Sequence, residues 1–255
     1  MAVAKNTGWG SVAGEYNDSF IENDGSYHSA VILPNLLRVV APQLGKKILE
    51  VGCGDGYFSH AFAAAGADAE GSDIAAAMVA SAKEKYPKLR WYTASADNLS
   101  FAKNDLYDGV VVVLALQNIE NLNGTIAEAS RVLKVGGEFV AVLNHPAFRI
   151  PKKSSWGFDE EKNIQYRRLD AYLSESAEEI DMDPGKEKGK RITVSFHRPL
   201  QVYIKALSKN NLAVIGFEEW ISNRASQQGP RQKAEDQARK EFPLFLMLKA
   251  RKLTN

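Results

Sequence analysis

One stretch of this chain decides its fold, and it reads Ile48-Leu49-Glu50-Val51-Gly52-Cys53-Gly54-Asp55-Gly56-Tyr57-Phe58-Ser59. An apolar run that predicts a buried strand is followed by three glycines at alternate positions and then by residues that predict a helix. Glycine adopts positive φ and allows a ligand to approach the backbone closely, and the helix that follows offers unpaired N–H groups to a negative group. The stretch therefore predicts a strand, a tight turn and a helix that open a cofactor site.

An acidic residue downstream fits the same site. Asp73 ends the next strand-like segment, about 20 residues after the turn, where a carboxylate can accept from both ribose hydroxyls of a nucleoside. Asp73 could instead cap a helix that begins near Ala75. Dinucleotide sites carry a third glycine where this chain has Tyr57, so a pyrophosphate is not specified. The pattern favours a nucleoside cofactor that is not a dinucleotide.

The pattern Glu50-x-Gly52-x-Gly54-x-Gly56 resembles the first motif of class I S-adenosylmethionine-dependent methyltransferases. Later segments match that family in order and spacing, namely Ser95-Ala96-Asp97, Tyr107 to Leu114 and Ala129 to Val140. Residues 143–151, 155–159 and 196–200 are similar to a bacterial type-11-like subgroup that acts on small molecules. The resemblance covers residues 45–145, and 198–250 more loosely. It implies a methyltransferase whose cofactor is S-adenosyl-L-methionine and whose product is S-adenosyl-L-homocysteine.

Strand and helix signals alternate from residue 46 onward, which predicts an α/β fold with helices on both faces of a sheet. The resemblance makes this a Rossmann-like, seven-stranded, mostly parallel sheet whose last strand is antiparallel. The expected strands are 47–51, 68–73, 89–93, 108–114, 138–144, 212–219 and 243–250, and the expected helices are 57–65, 75–86, 122–134 and 199–210. Length predicts a single domain over residues 1–255. Its parts are an N-terminal cap (1–44), a cofactor-binding core (45–144), a lid insertion that meets the substrate (145–197) and the C-terminal part of the core (198–255).

The resemblance also assigns contacts to the cofactor. The backbone of Gly52 to Gly54 passes under the ribose and methionine part, Asp73 accepts from the ribose hydroxyls, and Tyr16 meets the sulfonium or the α-amino group. The full predicted set is Tyr16, Glu50, Gly52, Cys53, Gly54, Asp73, Ile74, Met78, Ala96, Asp97, Leu114 and Ala115.

Several of these residues have a structural alternative. Asp97 could cap a short turn, and Met78, at helical spacing from Ile74, could belong to the core. Glu50 could hydrogen-bond the loop backbone instead of the ligand. Cys53 has no partner for metal or redox chemistry and is interpreted as a small loop residue.

Methyl transfer from a sulfonium is an in-line displacement with an excellent leaving group, so the protein mainly supplies positioning and desolvation. A base helps a hydroxyl or a protonated amine, and the candidate catalytic residues are His28 and His145 because histidine titrates near neutrality. His145 could instead make a loop hydrogen bond. Predicted substrate contacts are Tyr27, Asn118, Trp156 and His197, the last of which could also cap or pack at a helix start.

Absent motifs narrow the acceptor. After the fourth predicted strand the chain reads Leu116-Gln117-Asn118-Ile119-Glu120, without the Asn/Asp-Pro-Pro-aromatic motif of methyltransferases that act on adenine or glutamine amino groups. Cys53 lies in the cofactor loop, so no nucleophile for pyrimidine C5 methylation is present, and no acidic set predicts a metal site. We expect a small or medium-sized acceptor, with O- or N-methylation favoured over C-methylation. The rivals are a non-catalytic S-adenosylmethionine-binding protein and an RNA methyltransferase.

Charge and composition add limits. Lys and Arg number 32 against 31 acids, so no global field recruits nucleic acid or an anionic membrane. Lys152-Lys153 and Arg167-Arg168 could hold an anionic substrate, but neighbouring acids favour a solvated surface. One cysteine, no apolar leader and no long apolar run predict a cytoplasmic protein. The sequence leaves the oligomeric state open.

Overall fold

A seven-stranded sheet, in the order β10-β11-β5-β4-β1-β2-β3, is the centre of the computed structural model, which describes residues 8–9, 25–182 and 191–254. Its strands are β1 (Lys47–Val51), β2 (Asp68–Asp73), β3 (Arg90–Thr93), β4 (Tyr107–Val113), β5 (Leu133–Asn144), β10 (Leu212–Trp220) and β11 (Phe245–Lys252). Six strands run parallel, and β11 runs antiparallel to both of its neighbours. The predicted sheet and its antiparallel last strand are confirmed.

Helices cover both faces of the sheet. They are α1 (Leu33–Val40), which follows a π-helical turn (His28–Ile32), then α2 (Tyr57–Ala64), α3 (Ala76–Lys85), α4 (Leu122–Val132), α5 (Leu200–Lys209) and α6 (Gln232–Glu241). Leu36 and Phe62 pack on one face, while Ile126 and Leu207 pack on the other. Val110, Val111 and Val112 of β4 are completely buried between these layers, as expected of a parallel strand that is covered on both sides. This core fixes the strand ends that carry the site.

Two features of the sheet region differ from the prediction. Strand β5 begins at Leu133 rather than at residue 138, because Gly136, at φ 79°, and Gly137 lie inside the strand where its register with β4 shifts. Helix α6 was not predicted. Its sequence, QKAEDQARKE, buries only Ala238 and so carries no apolar periodicity to reveal it.

The predicted insertion, residues 145–197, forms two β-hairpins. The first pairs β6 (Ser154–Asp159) with β7 (Ile164–Leu169), and the second pairs β8 (Ser176–Asp181) with β9 (Ile192–His197). Strand β7 contacts α6, whereas β9 contacts the 3₁₀ turn (Leu116–Asn118) that follows β4. The two hairpins therefore cover different parts of the molecule. Among the helices in the described ranges, none is long and apolar enough to cross a bilayer.

Candidate functional site

The glycine turn between β1 and α2 has the predicted geometry. Gly52, Gly54 and Gly56 have φ values of 71°, 55° and 87°, in the left-handed region that favours glycine. A Cβ on Gly52 would lie 2.5 Å from the Ala115 Cβ, and one on Gly56 would lie 2.3 Å from the Trp91 ring. At Gly54 no atom lies within 4 Å of that position. Gly52 and Gly56 thus allow neighbouring protein atoms to pack closely, whereas no protein atom covers the same side of Gly54.

A cavity of about 330 Å³ opens over this turn. It lies at the carboxyl ends of β1, β2 and β4, where ligands of open α/β sheets bind. The predicted site residues that line it are His28, Glu50, Gly52, Cys53, Gly54, Asp73, Ile74, Met78, Ala96, Asp97, Leu114, Ala115 and Asn118. Tyr16 lies outside the described residues. The fold thus brings most of the predicted cofactor set to one concave surface.

Asp73 ties the end of β2 to the glycine turn. Its Oδ2 accepts from the Gly54 N–H at 3.0 Å, and its Oδ1 accepts from the Ala75 N–H at 2.8 Å. Helix α3 itself begins at Ala76, with Ala75 as its cap and no side-chain cap. Burial raises the pKa of the Asp73 carboxyl, and the N–H groups of Ala75, Gly54 and Ile74 oppose that rise. The carboxylate orders the loops on both sides of the cavity while it lines the cavity itself.

Glu50 is a buried carboxyl at the cavity floor. It is 1% exposed and accepts a hydrogen bond from the Ser59 hydroxyl of α2. Burial raises its pKa to about 8, with further contributions from the nearby Asp55 and Asp73 charges, although the Ser59 hydrogen bonds lower it. A cationic neighbour would stabilise the ionised form of this carboxyl and lower its pKa.

Asp97 links the loop after β3 to the start of α4. It accepts from the Ser95 hydroxyl and from Asn121 Nδ2, the latter at 2.8 Å. Asn121 in turn caps α4, since its Oδ1 accepts from the Gly124 N–H at 3.0 Å. The capping partner of this helix is therefore Asn121, and Asp97 stands behind it at the cavity wall.

The chain leaves β4 in an unusual conformation. Leu114 has φ 51°, a left-handed value that costs energy in a residue with a Cβ. The Leu114 carbonyl accepts from Gln117 Nε2 at 2.7 Å and from Asn118 Nδ2 at 3.2 Å. These bonds fold the 3₁₀ turn back on the strand and place Leu114, Ala115 and Asn118 along the cavity.

Four predicted catalytic or substrate residues lie outside the cavity lining. Buried His145 has its Nε2 2.8 Å from Glu219 and its Nδ1 accepting from the Ala147 N–H, and burial lowers its pKa despite the carboxylate. His197 Nε2 donates to the Tyr172 carbonyl at 2.8 Å, which matches the packing alternative. The Tyr27 hydroxyl lies 3.0 Å from Ser222 Oγ, and the Trp156 ring lies 5.4 Å from the Phe242 ring. The structure gives these side chains partners in other parts of the fold.

The cavity also has walls that the sequence analysis did not assign. They are supplied by Trp9, Tyr57, Phe58, Val194 and Phe196. Tyr57 and Phe58 follow the third glycine directly, so their position was a usable signal. Val194 and Phe196 reach the cavity through the second hairpin, and Trp9 packs against Ala75 and Met78. These long-range contacts have no local sequence pattern.

The chain matches known proteins over the same region. Residues 49–141 match the family described as "Methyltransferase domain", type 11. A demethylmenaquinone methyltransferase of Renibacterium salmoninarum is 33% identical over 105 residues, 41% of this chain and 44% of that protein. The ubiquinone/menaquinone biosynthesis C-methyltransferase UbiE of Zymomonas mobilis is 30% identical over 110 residues, 41% of this chain and 45% of that protein. The chain thus spans less than half the length of these curated relatives.

The likeness to solved structures extends further. The structure of an S-adenosylmethionine-dependent methyltransferase from Mesorhizobium loti is 26% identical and superposes with a TM-score of 0.70, covering 89% of this chain and 100% of that one. The structural match therefore extends well beyond residues 49–141. Together with the open glycine turn, the acid at the end of β2 and the sheet order, these matches show that residues 49–141 match a type-11 methyltransferase domain and that the chain has the fold of an S-adenosylmethionine-dependent methyltransferase.

Proposed function

We propose that this chain transfers a methyl group from S-adenosylmethionine to a small or medium-sized acceptor. The observation that carries the proposal is the pairing of Gly54, whose backbone is open to the cavity, with the Asp73 carboxylate that holds its N–H from the adjoining strand end. A nucleoside needs both features, a backbone it can approach and an acceptor for its ribose hydroxyls. We also propose that the chain forms a single domain and acts in the cytoplasm.

The cavity residues suit the cofactor. Ile74, Met78 and Trp9 offer apolar surface to the adenine, and the Asp73 carboxylate offers acceptors to the ribose. A cationic α-amino group at the other end would lower the pKa of the buried Glu50 carboxyl and pair with its ionised form. The cofactor supplies an electrophilic methyl group on a good leaving group. The protein has to orient it and exclude water, and the largely apolar lining of the cavity serves both needs.

The acceptor would enter beside the residues that line the cavity but are not assigned to the cofactor. His28, Tyr57, Phe58, Val194 and Phe196 form this part of the wall, which is mostly aromatic or apolar. We therefore propose an acceptor with an apolar or aromatic body. His28 is the predicted base that lines the cavity, whereas His145 faces Glu219.

Two arguments point to different atoms of the acceptor as the site of methylation. The sequence favoured oxygen or nitrogen, while one relative is named as a C-methyltransferase in quinone biosynthesis. A ring that carries a hydroxyl beside a nucleophilic carbon would satisfy both, and the same base would activate either atom. We propose an acceptor of this class.

Two measurements test the proposal. Calorimetry should show that S-adenosylhomocysteine binds and that NAD binds much more weakly; tighter binding of NAD would refute the cofactor assignment. A metabolite screen with a labelled methyl donor should then yield a methylated product, whose NMR spectrum identifies the methylated atom. Cofactor binding without turnover of any metabolite would favour the non-catalytic rival.

A further inference from the structure

Three arginines of the insertion and the C-terminal region have no acidic partner among the residues that the structure describes. Within the described ranges, no carboxylate lies at ion-pair distance from Arg149, Arg167 or Arg224. Other arginines do have such partners, for example Arg38 with Glu218 and Arg231 with Glu160. An unpaired arginine on its own would be an ordinary solvated side chain. Three in one neighbourhood are unusual for a chain with nearly equal numbers of acids and bases.

The three side chains are held by aromatic rings and neutral groups. The Arg149 guanidinium lies 5.7 Å from the Phe245 ring centre and donates to Asn144 Oδ1 at 2.6 Å. The Arg224 guanidinium lies 4.3 Å from the Tyr27 ring centre, and the Tyr27 and Phe245 ring centres are 5.7 Å apart. Arg149 and Arg224 thus sit over two rings that touch each other.

Arg167 adds charge nearby, and two of its donors already have protein acceptors. Its Nε donates to the Phe148 carbonyl and its Nη2 donates to Ser154 Oγ, each at 2.8 Å. Desolvation lowers the pKa of Arg149, and the nearby Arg167 charge lowers it further, while Tyr27 opposes the change. Arg149 is therefore an exposed side chain that lies near a like charge.

Two chain segments connect the cluster to the cavity wall. The Leu114 N–H, at the cavity wall, donates to the Val142 carbonyl of β5 at 2.8 Å, and Asn144, which holds Arg149, is two residues further along that strand. Neighbouring strands are about 4.8 Å apart, so Asn144, which holds Arg149, lies on the strand next to the one that ends at the cavity. On the other side, Tyr27 directly precedes His28, which lines the cavity.

We propose that Arg149 and Arg224 bind an anionic group, a carboxylate or a phosphate, on the acceptor whose methylated end occupies the cavity. The inference rests on the proposed function and narrows its substrate class. Guanidinium donors match both oxyanions, and Arg224 has no acceptor for its donors among the described residues. A bound anion would also relieve the repulsion between Arg149 and Arg167. The aromatic rings beneath the arginines would hold the guanidinium planes towards the ligand.

The experiment uses the full chain saturated with S-adenosylhomocysteine, at low ionic strength because salt screens exposed charges. The probes are benzoate, phenyl phosphate and the neutral benzamide, and their affinities are measured by calorimetric competition or NMR titration. At least one anion should bind tighter than benzamide by about tenfold or more, as for a charge-assisted hydrogen bond. Which anion binds distinguishes a carboxylate from a phosphate.

Single substitutions of arginine show which residues bind the anion. R149Q and R224Q should each weaken binding of the favoured anion by about tenfold, and leave benzamide and S-adenosylhomocysteine unchanged. R168Q is the matched control, because Arg168 is adjacent in sequence to Arg167 but pairs with Asp170 at 3.1 Å, and it should bind as the wild type does. If the glutamine variants do not fold, R149K and R224K keep the charge without the planar fork and should retain only part of the affinity.

The possible outcomes distinguish failure of the anion site from failure of the proposed methyltransferase function. Equal affinity for all three probes, no binding of either anion, or an unchanged anion affinity in folded R149Q and R224Q would overturn the anion site while leaving the methyltransferase proposal intact. Failure of the wild-type chain to bind S-adenosylhomocysteine would instead overturn the proposed function.

Discussion

Asp73 is the residue on which the cofactor argument depends most. The sequence left two roles open for it, ribose contact and helix cap. In the structure it accepts from both Gly54 and Ala75, while α3 begins one residue later without a side-chain cap. The carboxylate therefore shapes the loops of the cavity, and its remaining lone pairs are available to the ribose.

Replacing Asp73 by Ala should weaken S-adenosylhomocysteine binding by about one to two orders of magnitude, since a charge-assisted hydrogen bond contributes roughly 1.5–3 kcal/mol. Calorimetry gives the affinity, and circular dichroism checks the fold. Asp68→Ala is the matched control, because Asp68 lies at the other end of β2 and pairs with Lys47 and Arg90. Unchanged affinity in a destabilised Asp73→Ala protein would favour a purely structural role.

The buried Glu50 carboxyl predicts how the stability of the protein depends on pH. Its pKa is about 8 in the folded protein against an ordinary value of 4.5, so between these values the unfolded chain releases a proton that the folded chain retains. Stability must then fall as pH rises through this window, with a slope of at most about 1.4 kcal/mol per pH unit, and it levels off above the folded pKa. Urea unfolding of the wild type and of Glu50→Gln from pH 5 to 9 should show a steeper decline in the wild type. Parallel curves would mean that Glu50 is already ionised when folded.

At the scale of elements, the core was predictable because each strand and helix carries its own local signal. The apolar run of β1, the glycine turn and the valines of β4 report burial directly in the sequence. Helix α6 could not be recognised, because a polar helix that buries one alanine lacks periodicity. The direction in which each hairpin of the insertion faces depends on contacts with distant elements, so no local pattern reveals it.

The two hairpins lead to opposite predictions for their aromatic residues. The sequence placed Trp156 over the reacting centre, but in the structure Trp156 packs on Phe242 and Arg167, while Phe196 of β9 lines the cavity. Phe196→Ala should therefore lower kcat/KM for the acceptor by roughly tenfold or more, since a buried aromatic contact is worth about 1.5–3 kcal/mol. Trp156→Ala should leave kcat/KM and S-adenosylhomocysteine affinity within about threefold, under 1 kcal/mol. A large loss of turnover in folded Trp156→Ala alone would restore the first hairpin as the substrate cover.

The whole molecule assembles the cavity from positions between residues 9 and 196. The part near β1, β2 and β4 follows from motifs, which is why most residues that line this part of the cavity could be named from the sequence. His145, His197 and Tyr27 could not be placed in the same way, since their partners Glu219, Tyr172 and Ser222 are distant in sequence. Contacts between residues so far apart in sequence leave no local pattern, and these positions were therefore the least predictable.

Trp9 offers a test at this scale, because it lies far from the glycine turn in sequence yet packs against Ala75 and Met78 at the cavity. If adenine binds between these residues, Trp9→Ala should remove stacking worth about 1–3 kcal/mol and weaken S-adenosylhomocysteine binding by about tenfold. Trp156→Ala removes the same side chain from a place outside the cavity lining and serves as the control for general loss of an indole. Thermal unfolding with and without ligand provides a second readout, since a ligand that binds only the folded state raises the melting temperature with its affinity. Trp9→Ala should melt near the wild-type temperature without ligand and gain less from it, whereas equal gains in both tryptophan variants would show that the N-terminal region takes no part in cofactor binding.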